Sequence, residues 1–246
     1  MDLPILHVFC GERIAYRNIT NGIFPPKSAM YRNPFRESLG AQIRGDFYGY
    51  INPGDPKTAS EMAWRDANVS HTKNGIYGEM FISAMLSAAA VISNVDEVIK
   101  CNLSQIPRAS RLANAINSLF EWKNLGITLH EVINKIHQLY DEEEPYAQLH
   151  TIPNAMVVCA GLLYGENDFE KSLSGTLLGS FDKDCNCATV GSIMGMILGA
   201  KSLPEKWIKP LHNQVKSGVD GFGLVNISDL AYRTFQICKL SQKKFD

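Results

Sequence analysis

Two aspartates and two cysteines stand within six residues at Asp182-Lys183-Asp184-Cys185-Asn186-Cys187, directly ahead of the apolar run ATVGSIMGMILGA. An Asp-x-Asp pair at such a place can do one of two things. Its carboxylates, or the amide of Asn186, can accept the free N–H groups at a helix start, where negative charge also suits the positive end of the dipole. Alternatively both carboxylates can hold a hard cation, because Mg²⁺ takes oxygen ligands and draws only one or two carboxylates from a given segment. Two oxygens do not fill an octahedron, and the chain has no second tight acidic motif, since YDEEEPY at 140–146 reads as a solvated helix end. Cys185 and Cys187 make a Cys-x-Cys with neither a second pair nor a spaced histidine, which is a weak zinc pattern and a strained disulfide.

The run that follows must position this group. Gly191, Gly195 and Gly199 recur at every fourth residue, which predicts a central helix with another backbone packed close against its glycine face. The rest of the chain is also helical in period. Residues 74–93 are apolar all round and predict a buried helix, whereas 109–122 and 128–140 carry apolar groups at spacings of three and four and predict amphipathic outer helices. Thr128 with Glu131 forms a capping box, and Thr151 followed by Pro153 opens a further helix. Gly22, Gly126 and Gly165 are placed as left-handed residues just past helix ends. Strand alternation is absent and irregular segments fall at 22–34, 51–57 and 217–226, so the fold class is all-α, a single domain over 1–246.

Charge and cysteine usage narrow the function classes. The 24 basic and 25 acidic residues nearly cancel and neither collects into a block, which argues against a nucleic-acid partner. No apolar run is long enough for a bilayer and the first residues lack a signal-peptide pattern, so no membrane role and a cytoplasmic location are expected. The six cysteines read mainly as small hydrophobes. Arg36, Arg44 and Arg65 are able to meet phosphates, but read first as surface arginines whose stems cover apolar area.

Taken together, the stretches GERIAYRNITNGIFPPKSAMYRNPFRESLGAQIRGDFYGYINPGDP, AWRDANVSHTKNGIYGEMF, HTIPNAMVVCAGLLYGENDF, DKDCNCATVGSIMGMILGA and LPEKW resemble the ADP-ribosylglycohydrolase family over nearly the whole chain. The resemblance implies an all-α bundle that uses bound Mg²⁺ to hydrolyse the glycosidic bond of ADP-ribosylated substrates. It implies Asp182 and Asp184 as metal ligands, with Cys185 where many relatives carry a ligating threonine. It also implies His71, and with it Asn74, Gly75 and Tyr77, in the ligand pocket; on its residues alone His71 reads as a loop or cap histidine. Two departures stand out. Lys183 occupies the position of a small residue between the aspartates, and the family's N-terminal acidic segment, which supplies the other metal ligands and the base, is not matched, leaving about the C-terminal two thirds of the family fold. The expected partners are an ADP-ribose-like small molecule or an ADP-ribosylated protein, with a complementing N-terminal chain or a homo-oligomer completing the cage. The alternative is a non-catalytic relative serving as a nucleotide-binding or protein-interaction scaffold.

Overall fold

Helices dominate because few segments alternate with period two and many carry caps. A computed structural model describes residues 8–219 and 221–242. The first residues, in which a signal pattern was sought, lie largely outside that range. Helices α1 (Cys10–Thr20), α2 (Lys27–Met30), α3 (Asp46–Ile51) and α4 (Pro56–Ala67) lead into α5 (Asn74–Ala89). Then follow α6 (Val95–Asn102), α7 (Arg111–Asn124), α8 (Leu129–Leu139), the short α9 (Pro145–Gln148), α10 (Thr151–Tyr164), α11 (Phe169–Leu178) and α12 (Lys183–Leu198). The chain closes with α13 (Glu205–Ile208), a hairpin of β1 (Gln214–Lys216) and β2 (Leu224–Asn226), and α14 (Ile227–Gln242). Val215 faces Val225 in the antiparallel register. The all-α class therefore holds, with β2 inside the irregular segment 217–226, β1 just ahead of it, and α2 inside 22–34. Among the described residues no helix is long and apolar enough to cross a membrane.

Helices α5 and α10 are the inner pair, and both are apolar on every side as buried helices must be. Phe81, Ile82, Met85 and Leu86 of α5 and Ile152, Met156 and Leu162 of α10 are each less than 2 % exposed. Each such side chain contributes about 1.5–3 kcal/mol on leaving water. Amphipathic α7 and α8 cover α10 with Leu112, Ile116, Leu119, Val132 and Ile136. Helix α8 begins with the full capping box, in which the Thr128 hydroxyl accepts the Glu131 N–H and the Glu131 carboxylate accepts the Thr128 N–H.

Helix α10 opens at Thr151 as its sequence predicts, with His150 as N-cap, its Nδ1 accepting the Ile152 N–H at 3.1 Å, and the Thr151 hydroxyl donates to Gln42 Oε1 at 2.6 Å. Two local expectations need correction. Gly165 is not left-handed (φ −80°); Glu166 and Asn167 take the positive φ values, and Gly165 is needed because a Cβ would meet Ser172 of α11. Backbone does pack closely on glycine in this fold, at Gly49 against α5 and Gly161 against α11, but a Cβ on Gly191, Gly195 or Gly199 would meet nothing within 4 Å. The glycine face of α12 is open, the reverse of the close packing its period predicts.

Candidate metal centre

The Asp182–Asp184 pair sits where the chain turns sharply from α11 into α12. Ser180 (φ 62°) and Phe181 (φ 53°) are two successive left-handed residues with side chains, a conformation that costs roughly 1–2 kcal/mol for each. Surrounding contacts hold it. The Phe181 ring is buried and stacks on His137 with centroids 4.9 Å apart, and His137 Nε2 donates to Gly179 O at 3.1 Å. The Phe181 N–H donates to Glu142 Oε2 at 3.3 Å, so the acidic run at 140–146 is not wholly a solvated helix end. The next N–H, of Asp182, donates to Asn154 Oδ1 at 3.1 Å, and the same oxygen accepts Asn186 Nδ2 at 2.9 Å. Asn154 is fully buried on α10 and donates from its own amide to Gln148 O and His150 O.

Asp182 stands at the N-cap position without a capping hydrogen bond of full geometry, although the Cys185 amide draws weakly on its carboxylate, so capping alone does not account for Asp182. Instead one ligand atom each from Asp182, Asp184 and Cys185 lies within 4.8 Å of the others. Asp184 is exposed while Asp182 and Cys185 are half-buried. Desolvation, and then the neighbouring Asp184, push the Asp182 carboxyl above its usual range; the Cys185 thiol and amide pull it back less strongly. Burial and the Asp182 charge push the Cys185 thiol up to about 12. Two crowded carboxylates fit a divalent cation, which would remove their mutual repulsion. The protonated, soft thiol fits Mg²⁺ poorly compared with a hydroxyl. Next to them, Asn186 is fully buried and its Oδ1 has no hydrogen-bond partner. Lys183 is exposed and forms no ion pair among the described residues.

The pair also heads a stripe. At about 100° per residue, Asp184, Ala188, Gly191 and Gly195 fall within about 60° of one another on α12. All four are exposed or half-buried, and the two glycines face open space. The Cys10 thiol at the start of α1 is raised by burial and then by the charges of Glu12 and Asp182, so α1 begins beside the cluster.

The residues the resemblance implies for a ligand pocket are engaged inside the protein. His71 is 0 % exposed, with Ser70 Oγ 2.8 Å from Nδ1 and Ser38 Oγ 3.0 Å from Nε2. Arg44 donates to Ser70 Oγ at 3.1 Å, so Ser38, His71, Ser70 and the guanidinium form one hydrogen-bonded chain. Burial, and then the Arg44 charge, lower the His71 pKa to about 3, so the ring is neutral. Asn74 donates to Glu37 Oε2 at 2.7 Å and accepts the Leu112 N–H at 3.1 Å. Gly75 is buried where a Cβ would lie 2.7 Å from Arg36 O, and half-buried Tyr77 packs on the core. The structure does not bring these four to the Asp182 cluster through any of these bonds.

A second acidic group escapes a reading by motif because its members come from four elements. Arg44 pairs with Glu12 of α1 and, at 2.5 Å, with Asp66 of α4, and the buried Glu79 of α5 faces the same guanidinium. Arg44 is thus the centre of a half-buried cluster, not a surface arginine. Burial, and then Asp66, push the Glu79 carboxyl up to about 10, and neither of its oxygens has a hydrogen-bond partner. Residues 12, 44, 66 and 79 share no period, so nothing in the sequence groups them. Asn154 was equally silent, one polar residue in the apolar run TIPNAMVVCAGLLYG.

A sequence model described as ADP-ribosylglycohydrolase matches residues 8–240. Searches of curated proteins and of solved structures each found no match.

Proposed function

The chain belongs to the ADP-ribosylglycohydrolase family, and from that premise we propose that it hydrolyses the glycosidic bond of an ADP-ribosylated small molecule or protein once a further segment completes its metal cage. What carries this reading is the Asp182–Asp184–Cys185 group at the head of the open small-residue stripe of α12. A helix laid along Ala188, Gly191 and Gly195 would pass the Asp184 carboxylate and present its own ligands there. That helix would come from a complementing N-terminal chain or from a second copy of this chain.

Asp182 and Asp184 would hold Mg²⁺, with Cys185 contributing at most a neutral, weak contact. When bound, the ion would orient the ribose hydroxyls and offset charge developing as the glycosidic bond breaks. The chain's own part is to keep the two carboxylates together at a strained corner, and Asn154, Phe181 and Glu142 do this from three sides. Exposed Lys183 is free to point away from the pair or to lower its affinity for a cation. None of the described residues is assigned as the base that activates water.

The experiment is a titration of the purified chain with Mg²⁺ followed by calorimetry, for wild type and Asp184→Asn, then addition of ADP-ribose and of the upstream reading frame supplied as a separate chain. Cation binding that Asp184→Asn abolishes, with ADP-ribose release appearing on complementation, is the expected result. One observation favours a second reading. Only two carboxylates and a protonated thiol form the cluster, which suits a non-catalytic scaffold that binds a nucleotide or a protein partner. No response to metal in any arm would establish that reading over the first.

A further inference from the structure

We infer that Asn154 is a positioning residue for the cation ligands of α12, an inference that rests on the metal reading of Asp182 and Asp184 proposed above. Three observations lead there. Asn154 is fully buried, and its single carbonyl oxygen takes both the Asp182 N–H (3.1 Å) and the Asn186 side-chain amide (2.9 Å). One bond thus fixes the backbone of a ligand and the other fixes the residue one turn above it. Its amide is committed to Gln148 O (2.9 Å) and His150 O (2.8 Å), so the side chain cannot rotate without breaking four bonds. The corner it clamps is intrinsically unfavourable, because Ser180 and Phe181 are both left-handed. Without a clamp, relaxing those two residues would swing Asp182 away from Asp184.

The clamp has a further effect on Asn186. By holding its amide nitrogen, Asn154 leaves Asn186 Oδ1 buried and without a hydrogen-bond partner. Groups that orient ligands without touching the metal commonly change its affinity by about 10–100-fold when removed.

The test compares Asn154→Ala, Asn154→Asp and Ile116→Ala with the wild-type chain. Ile116→Ala truncates the core of α7, far from these bonds in sequence, and reports general destabilisation. Asn154→Asp, held protonated by its full burial, keeps the oxygen that accepts from Asp182 and Asn186 and offers one O–H in place of the two donors to Gln148 and His150. Hydrogen exchange is read at residues 182–186, and Mn²⁺ uptake is read by the spectroscopic signal of the free ion. Asn154→Ala is expected to speed exchange at 182–186 at least tenfold and to weaken Mn²⁺ at least tenfold. Asn154→Asp should keep the slow exchange, and Ile116→Ala should leave Mn²⁺ affinity within about threefold. Equal losses in Asn154→Ala and Ile116→Ala would overturn the inference. A wild-type chain that takes up no Mn²⁺ would instead sink the metal reading, and the exchange comparison between the alanine and aspartate variants would still decide whether Asn154 holds the corner.

Discussion

Ser192 on α12 donates its hydroxyl to the Asp46 carboxylate of α3 at 2.5 Å, joining residues 146 positions apart. Tyr50 donates to the same Ser192 oxygen at 2.7 Å. Asp46 is held above its usual carboxylate range by burial, and its other oxygen has no hydrogen-bond partner. Ser192→Ala would leave the carboxylate short of its best donor. The expected cost is about 1–3 kcal/mol, seen as a lower urea midpoint with an unchanged slope.

Glu79 makes stability fall with rising pH. Its folded pKa is raised to about 10, far above that of an exposed glutamate near 4.3. Below the unfolded value both states carry the proton and nothing is lost. Above it the unfolded chain ionises while the folded one does not, so stability declines by up to about 1.4 kcal/mol per pH unit until the folded pKa is reached. Glu79→Gln should remove that slope. Denaturation curves between pH 5 and pH 9, in about unit steps, should show the variant gaining on wild type throughout.

His71 acts in the opposite direction. Its folded pKa is lowered to about 3, against about 6.5 for a free side chain. The stability from keeping the ring neutral is complete above the unfolded value and is lost as pH falls towards the folded one. His71→Gln should therefore be destabilising at neutral pH, where the bonds to Ser38 and Ser70 are disturbed, by about 1–2 kcal/mol. The gap between wild type and variant should shrink in a urea series run towards acid pH.

The open face of α12 predicts a stabilising change. A Cβ at Gly191 or Gly195 would meet no atom within 4 Å, so alanine there removes the entropy penalty of glycine without a clash. Each of Gly191→Ala and Gly195→Ala should raise stability by about 0.5–1 kcal/mol in thermal melts of the isolated chain. If a complementing helix seats on this stripe, a Gly195→Leu variant should block it while leaving the isolated chain folded.

Much of the fold was legible because its signals are local. Thr128 and Glu131 are three residues apart and needed no tertiary information, and the apolar surround of 74–89 marked α5 as buried. Asp182 and Asp184 were legible for the same reason. The failures share a cause as well. Glycines at 191, 195 and 199 carry a period that says only where side chains are missing, not whether a neighbour fills the gap. Gly165 missed by a residue or two, since its neighbours Glu166 and Asn167 take the left-handed turn and Ser172 of another helix decides why glycine stands at 165. Arg44 pairs 32 and 22 positions away with Glu12 and Asp66, Asn154 reaches 28 and 32 positions on to Asp182 and Asn186, and Glu79 answers to Asp66 and Arg44 on other elements, so no local pattern marks any of them.

Beyond α12, the terminal elements α13, β1, β2 and α14 leave Trp207, Leu224, Tyr232 and Phe235 between 43 % and 64 % exposed. Exposed aromatic and leucine side chains in this number offer apolar area to other surfaces. Ammonium sulfate makes water a still poorer host for it, so a preparation of the bare chain should salt out early and adhere to phenyl-bearing chromatography resin, and a mild non-ionic detergent should release it.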